Sequence, residues 1–110
     1  MIEVDLYQAL SSLVGGRVFP QYAPVDSEYP VIVYTVINTD PNNTSCGAAE
    51  DEENRVQVDV YHREHYEMLL LKTATIAAID SAFPGGERIT DFDGFVEDPK
   101  LYRRTIEYYL

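Results

Sequence analysis

The run Arg55 to His62, RVQVDVYH, limits what this chain can fold into more than any other stretch. Side chains change sides at every residue of a strand, so Val56, Val58 and Val60 share one face. Gln57, Asp59 and, at the end of the run, His62 fall toward the other. A β-branched ladder backed by polar residues is a strand with one face buried and one face open. A long acidic segment precedes it and a helix-forming segment follows, so the strand joins a hairpin to a helical crossover.

The rest of the chain is arranged around that strand. Ile2, Leu6, Leu10 and Leu13 recur at helical spacing, with Glu3 and Asp5 in the first turn, where carboxylates complement the helix dipole. Gly15-Gly16 ends that helix. Val18-Phe19-Pro20 is too short to be more than a pairing fragment, and Pro20, Pro24 and Pro30 keep the chain through Tyr29 extended along the surface. Val31 to Asn38, VIVYTVIN, is dense in β-branched residues and reads as a central strand covered on both faces. Glu64 to Ala82 is predicted to be a helix with an apolar face of Tyr66, Leu69, Leu70, Thr73, Ile76, Ala77 and Ile79. Pro84-Gly85-Gly86 stops it. A strand over 87 to 92, a turn over 94 to 99 and a closing strand over 101 to 110 complete the chain. In the closing strand Tyr102, Arg104, Ile106, Tyr108 and Leu110 oppose Leu101, Arg103, Thr105, Glu107 and Tyr109. The expected fold class is therefore α+β: a single four-stranded, mostly antiparallel sheet with two helices on one face, in the order α-β-β-α-β-β.

At 110 residues the chain is expected to be one domain, 1–110, from which residues 39–54 project as an acidic loop. That stretch holds Asp40 and the run Glu50, Asp51, Glu52 and Glu53 and is long for a hairpin connection. Nineteen acidic against eight basic residues give a net charge of −11, which removes the attraction that drives non-specific binding to nucleic acid. No apolar run approaches the ~20 residues that span a bilayer, so no membrane association is expected. Cys46, the one cysteine, has no partner for an intramolecular disulfide, and the chain is read as soluble and unexported.

No catalytic, cofactor-binding or metal-binding residue is assigned. His62 and His65 with Glu64 and Glu67 gather imidazole and carboxylate at a strand-to-helix junction, which leaves a small metal-binding domain as a remote alternative. Their spacing matches no metal motif, and Glu64 and Glu67 are accounted for as a polar helix start. The acidic run lacks the alternating ligands and glycine of a calcium loop, and DFDG at 91 to 94 has Tyr102 where a bidentate glutamate belongs. No serine has a visible His and Asp partner, and Cys46 has no electropositive neighbour to activate it. The chain is expected not to be an enzyme. Nine tyrosines and no tryptophan, with Tyr108-Tyr109 near the end, leave two readings open: contact surfaces, because tyrosine offers apolar area with a polar tip, or one ring packed under a helix and the other covering the open face of the sheet. The closing strand is expected to present an open edge.

The N-terminal helix ending in glycine, the stretch VFPQYAPVDSEYPVIVYTVI, the strand RVQVDVY, the long helix after it and the closing YRRTIEYYL together resemble the tail completion, or tail terminator, proteins of long-tailed double-stranded DNA bacteriophages and prophages. The resemblance implies a homo-hexameric ring that caps the tail tube, stops its polymerisation and joins the tail to the head connector. DNA would pass through its lumen without specific binding. The location so implied is the tail or neck of the virion, assembled in the host cytoplasm, with the tail tube and head connector proteins as partners. A head-to-tail connector protein of similar fold is the alternative place in that stack. Glu50, Asp51, Glu52, Glu53, Gln57, Asp59, Tyr108 and Tyr109 are the residues expected to meet a neighbouring subunit, the tail or the connector.

Overall fold

A computed structural model of the chain describes residues 2–24, 27–41, 52–96 and 100–110. Helix α1 (Ile2–Leu10) runs into a 3₁₀ turn at Ser11–Leu13. Strands β1 (Val18–Pro20), β2 (Val31–Pro41) and β3 (Glu52–His62) follow. Helix α2 (His65–Ala82) then leads to β4 (Glu87–Val96) and β5 (Leu101–Tyr109).

The strands form one five-stranded mixed sheet in the order β1-β2-β3-β5-β4. This corrects the expectation of a four-stranded, mostly antiparallel sheet. The fifth strand is Val18-Phe19-Pro20, which pairs in parallel with β2 through Val18↔Ile32, Phe19↔Val33 and Pro20↔Tyr34. From sequence this stretch is expected to be no more than a pairing fragment, and it is not counted among the strands. Pro20 is tolerated because β1 is an edge strand with a neighbour on one side only. The segment returning to β2 begins at Gln21, whose φ is 67° and whose amide donates to Tyr34 O at 2.8 Å.

A second correction concerns the open edge. The closing strand β5 is interior, paired to β3 on one side and β4 on the other, and β4 is the edge. β4 also extends through residues expected to be a turn, as far as Val96. The β2–β3 ladder continues through Thr39↔Asn54, Asp40↔Glu53 and Pro41↔Glu52, so residues at both ends of the 39–54 segment have strand backbone.

The register fixes two distinct faces. Val56, Val58 and Val60 stand beside Val36, Tyr34 and Ile32 on β2 and beside Tyr108, Ile106 and Arg104 on β5. Both helices lie on this side: Leu6 and Leu10 of α1 and Met68 and Ile79 of α2 join Ile32, Tyr34, the three valines, Ile106 and Tyr108 in one buried cluster. His62, two residues beyond Val60, belongs to this face rather than the polar one, and its register partner is Tyr102. Gly15 and Gly16 end the helical entry with φ of 59° and 84°, values that a side chain would make costly.

Helix α2 buries only part of the face its sequence suggested: Ile79 is buried and Leu69 and Ile76 pack on the core, but Met68 and Thr75, outside that face, are buried as well. Met68, Thr75 and Ile79 face inward, with Leu71 partly buried beside them, while Tyr66 is 69% and Leu70 50% exposed. Apolar residues occur all round this helix, so periodicity alone could not choose between its two sides. Lys72 reaches Asp91 on β4 at 3.7 Å, tying the inward side to the sheet.

Candidate functional site

The other face of the sheet carries no helix, and its alternating residues are mostly polar. Across its middle the register aligns Phe19, Val33, Asp59, Thr105 and Phe92 on the five strands. Asp59 is expected from sequence to be unburied but is only 5% exposed. Its Oδ1 accepts from Thr105 Oγ1 at 2.5 Å and its Oδ2 from Gln57 Nε2 at 3.0 Å. A buried carboxylate needs such donors, because leaving it unpaired away from water is expensive.

The surrounding groups are also mutually engaged. Arg55 Nη2 donates to Glu107 Oε1 at 3.2 Å. Burial and the nearby Asp59 push the Tyr61 hydroxyl pKa up, and the Arg103 guanidinium opposes that push. Arg103 lies so close to β4 that a Cβ on Gly94 would stand 2.9 Å from its Nη2, and glycine at 94 makes that approach possible. At one end of this face the segment after β1 folds over the sheet. There Gln21, Tyr22, Ala23, Tyr29, Tyr61, Val96 and Leu101 line an open cavity of about 240 Å³. The Arg63 guanidinium sits 5.2 Å from the Tyr29 ring centre, a cation–π distance.

The residues singled out in the sequence are not all brought together. Gln57 and Tyr109 lie on the helix-free face, and Tyr109 is partly exposed. Tyr108 lies on the opposite face, 1% exposed in the core cluster. Its hydroxyl has no hydrogen-bond partner among the described residues, and burial, with Asp80 adding to it, pushes its pKa up to about 12. Glu52 and Glu53 contribute backbone to the β2–β3 ladder at the end far from the Tyr61 cavity. Glu50 and Asp51 lie outside the described residues, as does Cys46.

The helix side of β4 and β5 holds a second polar group. Arg104 donates from Nη1 to Asp93 at 2.6 Å and from Nη2 to Asp91 at 2.8 Å. Both acids named as possible calcium ligands in DFDG are thus engaged by an arginine. At the strand-to-helix junction His62 Nδ1 accepts from the Glu64 amide at 3.1 Å, and the His65 ring packs edge-on against Tyr102 with centres 5.2 Å apart. Among the described residues no group of three or more His, Cys, Asp or Glu side chains is placed to hold a metal ion. No helix of the described chain is long and apolar enough to cross a membrane.

Comparison with known proteins assigns the chain to a family. Residues 6–109 match the family described as "Tail completion protein gp17", and the chain belongs to that family. None of the curated proteins matches it. In the solved structure titled "Virion of native gene transfer agent (GTA) particle", one chain shares the fold. The TM-score is 0.59 at 15% identity, with 98% of this chain and 91% of that chain covered. At that identity the likeness is one of fold alone.

Proposed function

From membership of the tail completion family, we propose that this chain is a structural component of a phage or phage-like virion. It forms a homo-hexameric ring that caps the tail tube, ends tube polymerisation and presents a surface to the head connector. The observation that carries this reading is the family match over residues 6–109. Two features of the molecule support it. The polar residues of the helix-free face are spent on one another instead of converging on a substrate, as Asp59 with Thr105 and Gln57 and Arg55 with Glu107 illustrate. The net charge of −11 suits a ring through which DNA passes without adhering.

In this reading the acids Glu50, Asp51, Glu52 and Glu53 meet a neighbour or line the lumen. Gln57 and Tyr109 lie where a subunit can pack. Tyr108 is core and holds its own subunit together. A tube-growth assay tests the role. Purified tail tube protein polymerising in the presence of this chain should give short tubes with a ring at one end. Tubes of unchanged length and bare ends, imaged by negative stain, would remove the capping role.

A further inference from the structure

Helix α2 has a second apolar side. Its inward stripe of Met68, Thr75 and Ile79 is matched on the opposite side by Tyr66, Leu70, Thr73 and Ala77, all exposed. At about 100° per residue these four fall within roughly 60° of arc, directly away from the sheet. They carry no charge in a chain where 25% of residues are charged. The Thr73 hydroxyl is already bonded to Leu69 O at 3.1 Å, so it can lose its water at little cost. Charge returns only at the margins, with Glu64 and Glu67 at the helix start and Asp80 at its end.

The helix-free sheet face has a matching property. On β3 and β5 its charges are Arg55 and Arg103 against Asp59 and Glu107, two of each sign, and Phe92 and Tyr109 add exposed aromatic area. Glu87 at the corner of β4 and Glu28 on the segment after β1 are the acids at its border among the described residues. Two copies of a chain carrying −11 repel each other, and they approach most easily where neither presents net charge. The α2 stripe is uncharged and the β3–β5 part of the sheet face is balanced in charge, and the two lie on opposite sides of the molecule.

We propose that the Tyr66–Leu70–Thr73–Ala77 stripe of one copy docks on the helix-free sheet face of a second copy. Each copy would then offer one surface of each kind. Such a contact is head-to-tail, and head-to-tail contacts build rings when the rotation closes. This inference rests on the ring reading and specifies its subunit contact.

The test uses two full-length variants, Leu70→Arg on the helix stripe and Phe92→Arg on the sheet face. Both replace exposed side chains and both reduce the net negative charge, so lost assembly cannot come from added repulsion. Wild-type protein, with tail tubes supplied if required, should assemble. Each variant alone should be monomeric by light scattering while keeping the wild-type circular dichroism and melting temperature. An equimolar mixture should form dimers, because one variant keeps a working sheet face and the other a working helix stripe. If Leu70→Arg is misfolded, Ala77→Arg replaces it. Assembly of either variant at the wild-type level, or a mixture that stays monomeric, would overturn the docking while leaving the ring intact. Wild-type protein that stays monomeric even on tubes would overturn both.

Discussion

Val58 stands between Tyr34 and Ile106 across the ladder and beneath the helices, with none of its surface exposed. Val58→Asp would strand a carboxylate in an apolar cluster at a cost of at least about 4 kcal/mol, against total stabilities of about 5–15 kcal/mol for domains in general. Loss of cooperative urea unfolding and of soluble yield is the expected result, and a folded variant would mean that the two faces of β3 are exchanged. Tyr108 makes a different case, because its ring is buried and its hydroxyl unpaired among the described residues. Tyr108→Phe should be neutral or stabilising by up to about 1 kcal/mol at pH 7. The alkaline limb is more telling. Tyr108 has a folded-state pKa of about 12, above its ordinary value of 10.0, so the unfolded chain gives up this proton first. Its effect is absent below about pH 10, and stability falls between pH 10 and 12 by up to about 3 kcal/mol. Urea midpoints from pH 9 to 11.5 should therefore fall less steeply for Tyr108→Phe than for the wild type; parallel curves would mean that the hydroxyl is solvated or bonded.

Among the elements, α1, β3 and β5 are legible because each has one dominant period, and β2 because it is dense in β-branched residues. Alternation assigns Val56, Val58 and Val60 to one face and Tyr102, Arg104, Ile106 and Tyr108 to the same face of the sheet, as the register shows. What sequence could not supply was pairing. Nothing local tells Val18-Phe19-Pro20 that it will lie parallel to β2, or places β4 outside β5, because strand order is decided by contacts distant in sequence. Asp59 was misjudged for a related reason. Its partner Thr105 is 46 residues away, and that hydrogen bond, with the one from Gln57, makes burial tolerable. Helix α2 is legible only in part, since apolar residues lie on both of its sides and Tyr66 and Leu70 of the expected face are exposed. The added strand is directly testable. Ile32 N donates to Arg17 O at 3.0 Å and Gln21 N to Tyr34 O at 2.8 Å, so both amides should exchange slowly with deuterium. Free exchange at both would return this stretch to a surface linker.

At the scale of the whole molecule, the sheet has helices on one face only, and the chain carries a net −11. A surface bearing balanced charge and exposed aromatics is suited to a protein neighbour rather than to a nucleic acid. Self-association of so acidic a chain should strengthen with salt, because the Debye length shortens from about 30 Å at 0.01 M to about 8 Å at 0.15 M ionic strength. A sedimentation series across that range should show larger species at the higher salt; assembly that weakens with salt would indicate a contact built on opposite charges instead. The central claim, that the molecule acts as a ring, is tested most directly by the mass of the assembled species. Native mass spectrometry at near-physiological salt, on the free protein and on protein released from tube ends, should return six copies of the 12.5 kDa chain. A monomer or a two-fold dimer from both sources would contradict it.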